Sequence, residues 1–453
     1  MNRRFTRTLI RGVPIALVAT ALAACNTVSP DNNQNALRPK GPAAKDIFDL
    51  YKVVSIAAIV VGIAVCVALL YAIVRYRRRG DEDAPKQSHG NPLVEGSAVI
   101  GSFILLVIIG IPTVALIWKL DAAPAKSSRP LEVNVVGKQW WWQYGYPQAG
   151  DNVTVKDNDG KEVTRPLVTA TELHIPIGRP IVLVLDGRNA GTEAGQNPLA
   201  GTNPDVLHSF WIPELSGKRD MVPGRVNKWT IEATKPGKYL GQCAQYCGLS
   251  HANMRMRVIA HTQADFDQWL AEQRKGPAQP FTEADGKTTL KTGAPGLTTK
   301  YACGNCHVFN DSAKPNYAPN LTHLGARSTI AGGSIALFDQ TNGGQPTGSY
   351  DVEALAHWIW DAPSQRYGVP MQSEGCRWPL PAPENLDPPP PCQGMPSFKN
   401  PAYVPTQKGK PDTAQYPIMS FSEACEIANY LAAGRPAGLP LNQGQCANPE
   451  AVK

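Results

Sequence analysis

Two stretches of this chain run for more than twenty residues without a charged side chain, which limits how it can fold. Residues 53–74 give 22 such residues and residues 96–118 give 23. As helices rising ~1.5 Å per residue, each would measure ~33 Å, enough to cross a hydrocarbon core of ~30 Å. Both are predicted to span a membrane as a two-helix hairpin. The loop between them contains Arg75-Tyr76-Arg77-Arg78-Arg79. A basic loop stays on the cytoplasmic side, so both flanks lie outside. Everything after Trp118 is then expected in the periplasm of a bacterial inner membrane. That space is oxidising and permits disulfides and extracytoplasmic cofactors.

The N-terminus fits this topology. Arg3, Arg4, Arg7 and Arg11 precede an apolar run over residues 13–24, interrupted only by Thr20. This is the pattern of an export signal. Leu22-Ala23-Ala24-Cys25 resembles a bacterial lipoprotein cleavage box, implying that residues 1–24 are removed and that Cys25 carries lipid. An ordinary signal with a chance cysteine is the alternative. Removing the four arginines takes the formal charge from +7 to +3. Together with the absence of another long basic run, this gives nucleic-acid binding no compositional support.

Residues 25–125 hold the N-terminal segment and the two spans. Residues 126–276 read as an all-β domain. The runs 131–136, 181–185, 226–231 and 256–260 are short and rich in β-branched residues, with Gly, Pro, Asn and Asp turns between them. That spacing suggests a sandwich or barrel. Residues 266–275 look like a closing helix, and 277–285 a linker. Residues 286–453 form a further domain with helical signals at 352–360 and 422–432 and long Pro/Gly-rich loops.

The ten cysteines are few for a chain of 453 residues, and they are unevenly placed. Cys243, Cys247, His251 and Met254 fall within twelve residues, and His208 lies 35 residues upstream. Soft sulfur with imidazole suits copper, and a thioether beside Cys and His points to electron transfer. A Cys243–Cys247 disulfide or a structural zinc site would need no Met254. Further on, Cys303-Gly304-Asn305-Cys306-His307 is a c-type haem attachment sequence, its two thiols making thioethers and its histidine binding iron. A thioredoxin-like redox pair would need a βαβ context that is absent.

The copper set resembles the CuA domain of cytochrome c oxidase subunit II, a cupredoxin fold of Greek-key barrel type. The resemblance covers roughly residues 47–263. The run Gln139-Trp140-Trp141-Trp142-Gln143-Tyr144-Gly145-Tyr146 resembles the aromatic patch of that family, where the residue matching Trp140 receives electrons. Residues 218–225 resemble the segment facing the catalytic subunit. The resemblance implies two coppers bridged by Cys243 and Cys247. His208 and Met254 would bind one copper, and His251 with the Gln245 carbonyl the other. Gln245 stands where the family usually has Glu, which puts a carboxylate–magnesium contact in question.

His89-Gly90-Asn91-Pro92-Leu93-Val94-Glu95 resembles the segment whose glutamate marks the mouth of a proton channel. Physics alone favours an interfacial acid at Glu95; the resemblance favours the proton role. Ala318-Pro319-Asn320-Leu321 resembles the turn after the haem in class I cytochromes c, whose proline carbonyl orients the proximal histidine. Residues 394–398 resemble the loop that supplies a distal methionine. Met395 is the favoured ligand and Met371 the alternative, with Met419 read as core. His323 and Arg327 are possible haem-edge contacts or solvated residues. Cys376 and Cys392 bracket a Pro-rich stretch and could pair, as could Cys425 with Cys446. Cys66 is read as a lipid-facing or packed thiol without function.

As a whole the chain resembles subunit II of a caa3-type oxidase with a fused, mainly α cytochrome c domain. That implies one covalent haem c and a binuclear CuA centre. It also implies subunits I and III as partners, cytochrome c or another periplasmic protein as donor, and oxygen reduction with proton translocation in the complex. None of the eight histidines lies in either apolar run, so an intramembrane haem–copper centre cannot be built here. A nitric oxide reductase subunit, a free-standing membrane-anchored electron carrier and a copper-delivery protein are the alternatives.

Overall fold

The computed structural model describes residues 34–77, 90–147, 152–156, 162–187, 206–248, 250–279, 293–301, 303–305, 307–309, 318–341, 345–362, 395, 398–399 and 418–449. The export signal, Cys25, Cys306, Met371, Cys376 and Cys392 lie outside these residues.

Both apolar runs are helices, and both are longer than the runs themselves. Helix α1 spans Pro42–Arg75 and α2 spans Pro92–Asp121. Each begins with proline at its first position, where no N–H is needed. The early turns of α1 carry charge, and Lys45 pairs with Asp49 at 2.6 Å. Helix α2 is capped by Asn91, whose side chain accepts from Leu93 N and Val94 N, while Glu95 Oε1 accepts from Asn91 N. Glu95, in the first turn, thus reaches back to the backbone N–H of the N-cap residue. Large apolar side chains stand exposed along both helices, Leu70 and Ile111 among them. Lipid is the medium that accepts such a surface. Cys66 is an exposed free thiol on α1.

The hairpin is tied to the domain that follows it. Asp46 pairs with Lys119 across the two helices at 2.7 Å, and Asp121 with Arg219 of the β-domain at 2.7 Å. Lys40 N donates to Glu214 O, and Thr234 N to Lys40 O. The β-domain has two packed sheets. One contains β1 (Leu131–Lys138), β2 (Trp141–Tyr146), β3 (Asn152–Lys156), β4 (Glu162–Ala170), β6 (Ile181–Asp186) and β9 (Val226–Ile231), in the order β3-β4-β2-β1-β6-β9. The other contains β5 (Glu172–Pro176), β7 (His208–Trp211), β8 (Lys218–Met221), β10 (Gly237–Cys243) and β11 (Arg255–His261), in the order β5-β11-β10-β7-β8. The pairs β1–β6 and β5–β11 are parallel, so the domain is a mixed sandwich rather than a fully closed barrel. Leu131, Val133 and Val135 alternate inward along β1 and meet Trp142, Tyr144 and Phe210 in the core. The period of two places these side chains on one face.

The four strands expected from β-branched runs are β1, β6, β9 and β11. Strand β2 was legible only as an aromatic patch, because Trp, Gln, Tyr and Gly obscure its alternation. All six of its residues are buried. Helix α3, Gln263–Gln273, closes the domain. It starts three residues earlier than expected because Thr262 caps it, accepting from Asp265 N.

Beyond it, α4 (Gly293–Lys300), α5 (Val352–Asp361) and α6 (Phe421–Leu431) pack around Tyr301, Tyr350, Phe398 and Met419. Met419 is core, as expected. Ser420 and Glu423 make a reciprocal capping box at the start of α6. A disulfide joins Cys425 to Cys446, one of the pairings the sequence allowed, and ties the tail to α6. A cross-link closing a loop of this length restricts the unfolded chain by about 3 kcal/mol. Replacing both cysteines with serine is expected to destabilise this domain by about that amount, read as a lowered midpoint in denaturant.

Candidate metal centre

The copper-type residues come from two strand ends and the loop joining β10 to β11. Cys243 is the last residue of β10, and its N–H donates to Met254 O at 2.9 Å, which closes the loop on itself. Ala244 N donates to Ser209 O, binding the loop to the strand that carries His208. A single helical turn, His251–Asn253, aims His251 back at the sulfurs.

The donors converge. Cys243 Sγ lies 3.8 Å from Cys247 Sγ, 3.8 Å from His208 Nδ1 and 3.2 Å from the Gln245 carbonyl oxygen. Cys247 Sγ lies 3.5 Å from His251 Nδ1 and 3.7 Å from Met254 Sδ. His208, Cys243, Cys247 and Met254 are buried, while Gln245 points its side chain into solvent. The two sulfurs are unbonded, so the disulfide reading of Cys243 and Cys247 is not what the structure forms. A tetrahedral centre with metal–sulfur bonds of ~2.3 Å has donor–donor edges of ~3.8 Å. The spacings among sulfur and nitrogen donors, 3.5–3.8 Å, are close to such edges. The thiols share their charge unequally: the hydrogen bond from Cys247, aided by His208, pulls Cys243 well below the usual thiol range, while the same bond pushes Cys247 up. One thiolate is thus already favoured.

The neighbours of this set fix its shape. A Cβ on Gly137 would lie 2.8 Å from His208 Cδ2, so only glycine lets the imidazole lie against β1. Gly137 N donates to Met221 Sδ at 3.1 Å. Trp142 meets His208 edge-on, with ring centroids 5.9 Å apart. Gln139 Nε2 and Trp140 Nε1 both donate to the Cys247 carbonyl, at 2.7 and 3.0 Å. Neither Gly137 nor Met221 is conspicuous in the sequence, since nothing local to them suggests a metal. Replacing Gly137 with valine is expected to turn His208 aside and weaken copper retention ~10–100-fold, read by competition with a chelator.

In the C-terminal domain, His307 Nδ1 lies 2.8 Å from the Pro319 carbonyl oxygen. This is the orienting contact expected of a proximal histidine, and it leaves Nε2 free for a metal. Cys303 is half-buried one turn before His307, whose N–H donates to Cys303 O. Burial pushes the His307 imidazole down, favouring the neutral, ligating form. Met395 packs half-buried against the helical core. Arg327 is not solvated: it is buried and its Nη2 donates to the Asn320 carbonyl. His323 is half-buried at the start of a short helical turn.

A cluster of two thiols, two imidazoles and a thioether on a β-sandwich, buried except for the half-buried His251, has the chemistry of a copper centre of the electron-transfer kind. Known proteins resemble the chain over this domain. The family model described as "Cytochrome C oxidase subunit II, periplasmic domain" matches residues 131–261. Cytochrome c oxidase subunit 2 of Alkalihalophilus pseudofirmus is 31% identical over 330 residues, covering 72% of this chain and 84% of that protein. The Bacillus subtilis protein of the same name is 28% identical over 338 residues, covering 70% and 83%. Among solved structures, the periplasmic domain of cytochrome oxidase subunit II from Bradyrhizobium japonicum is 26% identical, with coverage of 32% and 93% and a TM-score of 0.23. The chain belongs to the cytochrome c oxidase subunit II family. It is a membrane-anchored oxidase subunit with a periplasmic domain, and it delivers electrons to a haem–copper catalytic subunit.

Proposed function

We propose that this chain is a two-site electron conduit, with a binuclear CuA centre in the β-domain and a covalent haem c in the C-terminal domain, as in caa3-type oxidases. The observation that carries the copper half is the convergence of six donors at 3.2–3.8 Å around one buried point. Cys243 and Cys247 would bridge the metals, His208 and Met254 would complete one, and His251 with the Gln245 carbonyl the other. Bound there, a copper pair supplies a one-electron store whose charge is spread over both thiolates. The sandwich, by fixing the strands that carry the ligands, would limit their reorganisation on a change of redox state.

The haem half rests on the Cys303–His307 spacing and on the His307–Pro319 contact. Cys303 and Cys306 would make the thioethers, with His307 and Met395 as axial ligands. A histidine and a methionine on iron favour a high potential. Electrons from cytochrome c or a similar periplasmic donor would cross the C-terminal domain, then the β-domain at Trp140, and leave for subunit I. Trp140 suits this role because its indole N–H touches the carbonyl of a bridging cysteine. Subunit III is a further expected partner. Two crossings by α1 and α2 and a lipid on Cys25 would hold the assembly at the membrane. Glu95 would mark the mouth of a proton path coupled to oxygen reduction; its cap on α2 fixes where that carboxylate stands.

Metal and haem analysis of the purified complex, with spectroscopy, tests this reading. Two coppers and one low-spin haem c per chain are expected. A single copper, or zinc, would sink the CuA assignment, and absence of covalent haem would sink the second site.

A further inference from the structure

We propose that residues 327–334 form a permanent dock that clamps the C-terminal domain onto the Gln139–Trp140 turn between β1 and β2, closing that turn to outside proteins and leaving the C-terminal domain as the only landing surface for a donor. The electron-path consequence rests on the two-site reading above; the dock itself does not.

The clamp is a buried carboxylate of one domain held by hydroxyls of the other. Glu172 on β5 is buried, and its Oε1 accepts from Ser328 Oγ and, at 2.9 Å, from Thr329 Oγ1. Arg257, opposite Glu172 in the β5–β11 register, donates to the same Ser328 hydroxyl at 3.2 Å. Ser328 and Thr329 are themselves buried. A carboxylate taken out of water without partners is expensive, so the β-domain is not complete without the segment that satisfies it. Burial alone would raise Glu172. The His174 imidazole 3.8 Å from Oε2, Arg257 and the Ser328 hydroxyl outweigh it and hold the carboxyl at about 2.

Two glycines then bring the backbones together. Gly332 and Gly333 have φ of 65° and 81°, in the region that glycine tolerates. A Cβ on Gly332 would lie 2.6 Å from the Trp140 carbonyl oxygen and 2.9 Å from that of Asn253. Ser334 Oγ donates to Asn253 O at 3.0 Å, one residue before Met254. The dock therefore touches both the turn that carries Trp140 and the metal loop. It is also continuous with the His307 site: His307 meets Pro319 O, and Arg327, beside Ser328, donates to Asn320 O. One chain of contacts fixes His307 relative to Cys247. Trp140 is 6% exposed, so no donor protein could lie on it.

The test uses the full chain in its complex. Gly332→Val should wedge the segment off Trp140, and Glu172→Ala should strand both hydroxyls. Glu172→Gln keeps an accepting Oε1 and should rescue part of the effect. Hydrogen exchange at the amides of residues 329–337 is expected to be slow in the wild type and to quicken about tenfold or more in the first two variants. With soluble cytochrome c as donor, their kcat should fall while KM stays unchanged, because the landing surface is untouched. If Glu172→Ala fails to fold, a Ser328→Ala/Thr329→Val double variant should give the same exchange result. Unchanged exchange in Gly332→Val and in the Glu172 or hydroxyl variants would overturn the dock, as would rapid exchange of 329–337 in the wild type. Copper and haem content on the same samples separates the two ideas: missing haem refutes the two-site reading and leaves the exchange result to decide the dock.

Discussion

Replacing Cys243 with serine should empty the copper centre and abolish electron delivery to the catalytic subunit. Cys243 is the residue on which the arrangement turns: its sulfur faces His208, the Gln245 carbonyl and Cys247 at once. Serine has nearly the same shape but offers a hard, protonated oxygen, which copper in a thiolate site does not accept. The fold should survive, because Cys243 N still donates to Met254 O and the loop stays closed. Copper per chain should drop to background and the copper absorption should vanish. Oxygen consumption should fall by at least ~1000-fold, as expected when a one-electron relay is removed rather than weakened. A protein that keeps both coppers and its activity would show that the two sulfurs do not bridge.

The second large effect belongs to the C-terminal domain. Replacing Cys303 and Cys306 together with alanine should leave the chain without covalent haem, read as loss of haem staining on a denaturing gel. The copper spectrum should remain, since the copper ligands lie in the separate β-domain core. Copper in place with haem gone would also show that the two centres load independently. Among the axial candidates, Met395→Ala should remove the thioether–iron absorption band. If the band persists, the ligand is Met371.

Much of this was legible along the chain because the chemistry sits in short motifs. The residues from Cys243 to Met254 are one loop between adjacent antiparallel strands, so their spacing nearly dictates their meeting. The same holds for Cys303 and His307, one helical turn apart in a single segment. Both apolar helices were legible because composition alone decides which segments lipid accepts. Strand β2 was not legible as a strand, since burial on both faces erases the alternation on which such reading depends.

Other parts depend on residues far apart in sequence. Gly137 makes room for His208 across 71 positions, and Ser328 completes Glu172 across 156. Neither pair has a local signature, because a missing Cβ or a lone acid acquires meaning only from what is packed against it.

By itself, then, the sequence determined the two apolar helices and supplied the proposed donor set for copper and the proposed attachment motif for haem, because bilayer partition and metal affinity depend on residue type and short spacing. Only the tertiary structure decided that the sulfurs stand unbonded at 3.8 Å, that Cys425 pairs with Cys446, and that the C-terminal domain is seated on the turn that carries Trp140. Those are questions of distance between remote segments, and packing settles distance.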